Sequence, residues 1–286
     1  MIKLNIDFKN SDNVLQMKKT ISRLETTFQK RDKDDKIMSL FITAGYPNLD
    51  STVDLILGFE KNGADIIELG MPFSDPLADG PTIQKASTQA IENGITMNKI
   101  FDIVQQVRKS SQIPIILMGY INPVLRYGIA EFCKKATESG VDGLIIPDAP
   151  LEESSIISEE AEKNNLDLIY LIAPNSTDER MRRVDEMSSG FVYCVSVTGV
   201  TGARQGDEVA KSVSRFIDRV NANVTKTPKL VGFGIKSYSD AQIISKDLDG
   251  FIVGSALINT IEENYPKKDW QENVFQFVKE LKFGNI

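Results

Sequence analysis

The sequence predicts a TIM (β/α)8 barrel with an extra N-terminal helix, built as a single α/β domain. Three observations predict it. Eight short apolar runs alternate with helical patterns along the chain. The runs are apolar throughout, as in strands buried on both faces. The chain has 286 residues, 41% of them hydrophobic, and no linker divides it, so there is material for one large core. An open doubly wound sheet is the rival arrangement.

Residues 1–18 read as an N-terminal extension, in part disordered, and residues 19–286 as the barrel domain. Ile21, Leu24 and Phe28 share one helical face, which predicts a helix capping an end of the fold. The charged run Lys30–Lys36 is a solvated linker. The predicted strands are Met38–Thr43, Ile66–Leu69, Ile113–Met118, Gly143–Ile146, Leu168–Ile172, Phe191–Ser196, Leu230–Gly232 and Gly250–Val253. Between them, helical patterns run over Ser51–Asn62, Met97–Lys109, Ala130–Ser139, Leu151–Asn164, Thr177–Met187, Asp207–Asn223 and Tyr238–Ser245. Glu272–Leu281 closes the chain.

Composition removes several classes of chemistry. The net charge of −7 argues against a general nucleic-acid or anionic-membrane surface. Histidine is absent, which rules out Ser-His-Asp and Cys-His triads and histidine-ligated metal sites. Cys133 and Cys194 have no metal or disulfide spacing and read as core thiols in a reducing compartment. The N-terminus lacks the apolar core of a signal peptide, Asp7 and Asp12 argue against a transit peptide, and no run reaches transmembrane length. A cytoplasmic enzyme is expected, with no cofactor and no metal.

The most informative stretch runs from Glu68 to Gln84. The apolar run ending at Ile67 stops in a carboxylate, Glu68, and a loop stiffened by Pro72, Pro76 and Pro81 carries a second acid, Asp79. An acid at the end of a buried strand is costly unless it works or is paired. Two acids joined by one rigid loop suit the two roles of acid–base chemistry. In a barrel of this kind the site lies at the C-terminal ends of the strands. Glu68 and Asp79 fall there, as do the loop Val197–Gly206, Gly232-Phe-Gly234 and Gly254-Ser255. The last two sit where this architecture usually holds phosphate, with glycine allowing close backbone approach and helix amides favouring an anion. Gly202, Gly234, Gly254 and Ser255 are the predicted phosphate-binding residues. Phe41, Met118, Ile145, Tyr193, Phe233 and Ile252 lie near strand ends, as upper core or as walls of a flat apolar pocket.

At these residues the chain resembles the tryptophan synthase alpha chain family. The resemblance runs from about Phe41 to about Leu257 through Phe41-Ile-Thr-Ala-Gly-Tyr-Pro47, Glu68–Gln84, Pro147-Asp-Ala-Pro150, Gly199-Val-Thr-Gly202, Gly232-Phe-Gly234 and Gly254-Ser255. It implies cleavage of indole-3-glycerol phosphate to indole and glyceraldehyde 3-phosphate, a retro-aldol reaction. It also implies a closing loop over Val197–Gly206 with Thr201 reaching Asp79, and an indole pocket on the apolar residues above with Tyr120 and Asn122 nearby. It implies a beta-chain partner in an alpha2beta2 hetero-tetramer, contacted through Asp75, Asn122 and Pro150. Val197 departs from a basic residue that some members carry. Independently, the absence of histidine disfavours a zinc aldolase, and no predicted strand ends in a lysine placed for a Schiff base, since Lys229 precedes its strand. Carboxylate proton transfer remains. The other readings are a free-standing indole-glycerol-phosphate lyase, a non-catalytic activator of the beta chain, and another phosphate-binding barrel such as a sugar-phosphate isomerase.

Overall fold

Strands β1 (Ile37–Thr43), β2 (Ile66–Gly70), β3 (Ile115–Met118), β4 (Gly143–Ile145), β5 (Asp167–Leu168), β6 (Leu171–Ile172), β7 (Val192–Val195), β8 (Lys229–Gly232) and β9 (Gly250–Val253) form one parallel sheet among the described residues. The computed structural model describes residues 21–32, 35–195, 207–232 and 234–284. The extension expected over residues 1–18 therefore lies outside the described residues, as do Thr201, Gly202 and Phe233. The sheet order is β5-β4-β3-β2-β1-β9-β8-β7-β6.

The predicted fifth strand is two short strands. Its first half pairs with β4, Gly143 opposite Asp167, and its second half with β7, Leu171 opposite Tyr193. At the switch, Ile169 N donates to Leu144 O and Tyr193 N donates to Tyr170 O, both at 3.0 Å. One segment thus passes from one neighbour to the next, as the stagger of a tilted barrel requires, and closes the sheet. The (β/α)8 barrel is the fold.

Strands β1, β2, β4 and β9 are buried on both faces, and the others add some half-buried residues. Ile37, Ile66, Ile116, Ile145, Ile169, Leu230 and Ile252 point inward with Phe191 and form the inner cluster. The alternate residues, such as Met38, Leu40 and Ile42 of β1, pack outward under the helices. Cys133 and Cys194 are both free and buried. No helix among the described residues is long and apolar enough to cross a membrane.

The helix predicted near the N-terminus spans Arg23–Lys30 and is capped by Ser22, whose Oγ accepts from Glu25 N at 3.1 Å. Leu24 inserts into the inner cluster, and the Phe28 ring lies 6.3 Å from that of Phe191. Ile21, expected on the same buried face, precedes the cap and is 58% exposed. This helix closes the barrel floor, the end where the strands begin. Three aspartates reinforce that end, each placed one residue before a strand. Asp65, Asp142 and Asp249 accept from Met38 N, Ile115 N and Lys229 N at 2.8, 2.8 and 2.9 Å. Each also holds a cation: Lys282 on Asp65, Arg108 and Arg23 on Asp142, and Arg31 on Asp249.

Several helical details differ from expectation. Helix Pro81–Glu92 carried no visible apolar stripe, because its buried face is Ala86, Ser87 and Ala90. Leu151–Asn164 divides into a single 3-10 turn, Leu151–Glu153, and helix Ser155–Lys163. Helix Ile121–Tyr127 follows β3 where no helix was expected, and a ten-residue helix, Ser255–Asn264, follows Gly254.

Candidate active site

Glu68 sits on the inward face of β2, between Ile66 and Gly70, and is 0% exposed. Its Oε1 accepts a 2.7 Å hydrogen bond from Ser39 Oγ on β1. Its Oε2 is buried and has no hydrogen-bond partner among the described residues. Burial in this apolar interior disfavours the charge and pushes the carboxyl up from 4.5 to about 7, with the Ser39 bond opposing the rise. Both protonation states of Glu68 are therefore accessible near neutral pH.

Asp79 reaches the same mouth from the loop after β2. Its own N donates to Pro76 O at 3.2 Å, and Gln84 Nε2 donates to its carbonyl at 2.9 Å, so the loop is folded onto helix Pro81–Glu92. The Tyr120 hydroxyl hydrogen-bonds the Asp79 carboxylate while accepting from Ala78 N at 3.0 Å. Phe73 packs against Tyr120 with ring centroids 5.6 Å apart. Burial raises the Asp79 carboxyl above its ordinary value, and the Tyr120 bond restrains it. Tyr120 in turn is pushed up to about 12, first by burial and then by the Asp79 charge.

Tyr193 faces both acids from β7. Burial, then the charges of Glu68 and Asp79, raise its hydroxyl well above the usual tyrosine value, so it stays a protonated donor. Phe41, Gly70, Asp79, Ile83, Met118 and Tyr120 line a narrow cleft at the strand ends, with Met71, Ser87, Gly119 and Pro147. Gly70 is needed there, since a Cβ would lie 2.7 Å from the Phe41 ring. Ile145 and Ile252 are buried in the inner cluster, against which Met118 and Tyr193 pack. Larger hollows, about 380 Å³ at the floor and about 320 Å³ beside Tyr238, include neither Glu68 nor Asp79.

At the predicted phosphate end, Gly254 (φ −120°, ψ −83°) precedes helix Ser255–Asn264, and no side chain caps that helix. Its first-turn amides have no partner within the helix. The nearest atoms to a Cβ at Gly254 would be those of the Phe41 side chain, at 3.5 Å and beyond. The neighbouring helix Tyr238–Ile244 differs, because Ser237 Oγ accepts from Asp240 N at 3.2 Å and caps it. Gly234 has φ +59° and no atom within 4 Å of its Cβ position, so backbone conformation is what favours glycine there. Ser255 is exposed at the mouth.

Asp75, Asn122 and Pro150 are all exposed, Asp75 and Pro150 on the loops after β2 and β4 and Asn122 in the first turn of helix Ile121–Tyr127 after β3. Asp148 Oδ1 accepts from Ile121 N at 2.9 Å and ties the start of that helix to the loop after β4. Lys229 begins β8 at the floor and its Nζ donates to Val224 O at 3.3 Å, away from the acids. Sequence reasoning overlooked Ser39 and Gly70. Ser39 shares the inward face of β1 with Phe41, but its partner Glu68 lies across the sheet and is not visible from its own strand.

The chain matches the family model described as tryptophan synthase alpha chain over residues 28–284. It is 46% identical to the tryptophan synthase alpha chain of Flavobacterium psychrophilum over 82% of this chain and 93% of that one. With the alpha chain of Geotalea uraniireducens the identity is also 46%, covering 92% and 98%. Among solved structures, tryptophan synthase subunit alpha from Legionella pneumophila superposes with a TM-score of 0.84 at 37% identity, covering 92% of this chain and 98% of that one. Tryptophan synthase from M. tuberculosis in an open form superposes with a TM-score of 0.81 at 33% identity, covering 92% and 98%. By sequence and by fold, the chain belongs to the tryptophan synthase alpha chain family.

Proposed function

We propose that this chain cleaves indole-3-glycerol phosphate to indole and glyceraldehyde 3-phosphate, with Glu68 moving the protons and Asp79 holding the ring. The observation that carries the reading is a fully buried carboxyl at a strand end, raised to about 7, with one oxygen unpartnered among the described residues. Such a group both gives and takes a proton near neutral pH. In its neutral form Glu68 protonates indole C3, which breaks the aromaticity and turns the ring into a leaving indolenine. The carboxylate then takes the proton of the glyceryl hydroxyl next to the breaking carbon–carbon bond. That carbon becomes the aldehyde, the bond electrons restore the indole, and Glu68 ends as it began. Asp79 accepts from the ring N–H and stabilises the positive charge that develops there. Tyr120 orients Asp79.

The flat ring packs between Phe41, Met118, Tyr120 and Tyr193, above Ile145 and Ile252, and with Phe233. Phosphate binds at Gly234, Gly254 and Ser255 through the uncapped helix end, together with Gly202, while Thr201 meets Asp79 from a closing loop. Residues 19–286 act as one catalytic unit and residues 1–18 as an extension. Asp75, Asn122 and Pro150 meet a tryptophan synthase beta chain in an alpha2beta2 assembly, in the cytoplasm. The test is indole release from indole-3-glycerol phosphate with and without a beta chain. Slow release that rises sharply on adding the beta chain is expected; no release under either condition would overturn the reading.

A further inference from the structure

We infer that Ser39 is a positioning residue for this chemistry: it holds one oxygen of Glu68 and so assigns proton transfer to the other. The inference rests on the role just proposed for Glu68. Ser39 is fully buried and lies on the inward face of β1, between Ile37 and Phe41. Its Oγ donates to Glu68 Oε1 at 2.7 Å, across the β1–β2 pairing. Oε2, just as buried, has no hydrogen-bond partner among the described residues. The terminal torsion of a glutamate is broad and roughly two-fold, so an untethered carboxyl would present either oxygen at many angles. The serine removes that freedom without supplying a charge. It also favours the ionised form, since it donates to the carboxylate, and so keeps the group from becoming a permanently neutral acid.

The surroundings leave this task to Ser39. β3 contributes apolar Ile116 opposite Glu68. Tyr193 on β7 faces Glu68 as well as Asp79, which lies on the loop after β2. Tyr193 is protonated and Asp79 is a like charge, so neither favours ionisation of Glu68 as a cation would.

The experiment compares the wild-type chain, Ser39→Ala and Ser39→Thr, each saturated with beta chain, by kcat and KM for indole-3-glycerol phosphate across pH 5 to 9. Thermal melting establishes that all three fold. Ser39→Ala is expected to lower the maximal kcat about tenfold with KM within about twofold, because orientation and not substrate contact is lost. The midpoint of the pH profile that belongs to Glu68 should move upward by about one pH unit, since a hydrogen bond to the charged form is gone. Ser39→Thr, which keeps the hydroxyl, should restore both. An unmoved midpoint in Ser39→Ala, or a change confined to KM, would overturn the inference while leaving the lyase reading intact. A wild-type chain that releases no indole would instead remove the lyase reading, and this inference with it.

Discussion

Replacing Glu68 by glutamine should stabilise the protein at alkaline pH while it stops the reaction. The wild-type carboxyl rises from 4.5 in the unfolded chain to about 7 in the fold, chiefly by burial. An acid whose folded value is raised costs nothing while it is neutral in both states, below about pH 4.5. The cost grows as pH rises between the two values and is complete above about 7. The gap corresponds to about 3 kcal/mol of stability withheld from the folded state at pH 8. Glutamine keeps an oxygen for Ser39 but places an amide NH2 where Oε2 has no partner among the described residues, at a pH-independent cost of about 1 kcal/mol or more. The informative quantity is therefore the difference in unfolding free energy between variant and wild type, which cancels the other titrating groups. Urea denaturation at intervals from pH 4.5 to 8, with matched m values, should show that difference moving by about 3 kcal/mol in favour of the variant. Over the same range kcat should fall by a factor of about 10² to 10⁴. A stability difference flat with pH would show that Glu68 is not held at a raised value, and near-normal turnover would remove it from the chemistry.

Asp79→Asn should cost several orders of magnitude in kcat, since an amide cannot stabilise the developing ring charge; a variant keeping more than about a tenth of wild-type activity, under about 1.4 kcal/mol of barrier, would refute that role. Gly254→Ala should fold normally, because its Cβ would make only ordinary contacts with Phe41, yet it should raise KM for the phosphate substrate; an unchanged KM would mean that this glycine only shapes a turn. Ser255→Ala should weaken binding less, by about 1 kcal/mol, as the backbone amide survives, and substrate titration would check this. Asp142→Ala should lower stability by about 3–5 kcal/mol in urea denaturation, because Arg108 and Arg23 lose a partner that is 6% exposed; a loss under about 1 kcal/mol would show that these bonds are incidental.

The barrel was legible because strands buried on both faces leave continuous apolar runs, and seven of the eight matched single strands within a few residues. The eighth, Leu168–Ile172, broke because pairing on each side depends on barrel stagger, which one strand's sequence does not encode. Helix Pro81–Glu92 stayed hidden because close packing against the barrel selected small residues there. Glu68 and Asp79 were visible as acids placed where an apolar strand or a rigid turn should not waste them. Ser39 was not, since a serine inside an apolar run reads as a tolerated polar residue until its partner across the sheet is known.

The short helix Arg23–Lys30 does more than add contacts. Its two ends are fastened, through Arg23 to Asp142 beside β4 and through Arg31 to Asp249 beside β9, while Leu24 fills the space between them. Among the described residues, the cleft at the opposite end is lined by Phe41, Asp79 and Tyr120, so a substrate seated there would stand between Glu68 and water. On the proposed mechanism the acid would then work with a fixed inventory of one proton, lent to a carbon and reclaimed from an oxygen, and occupancy of the cleft and timing of the chemistry would become the same event.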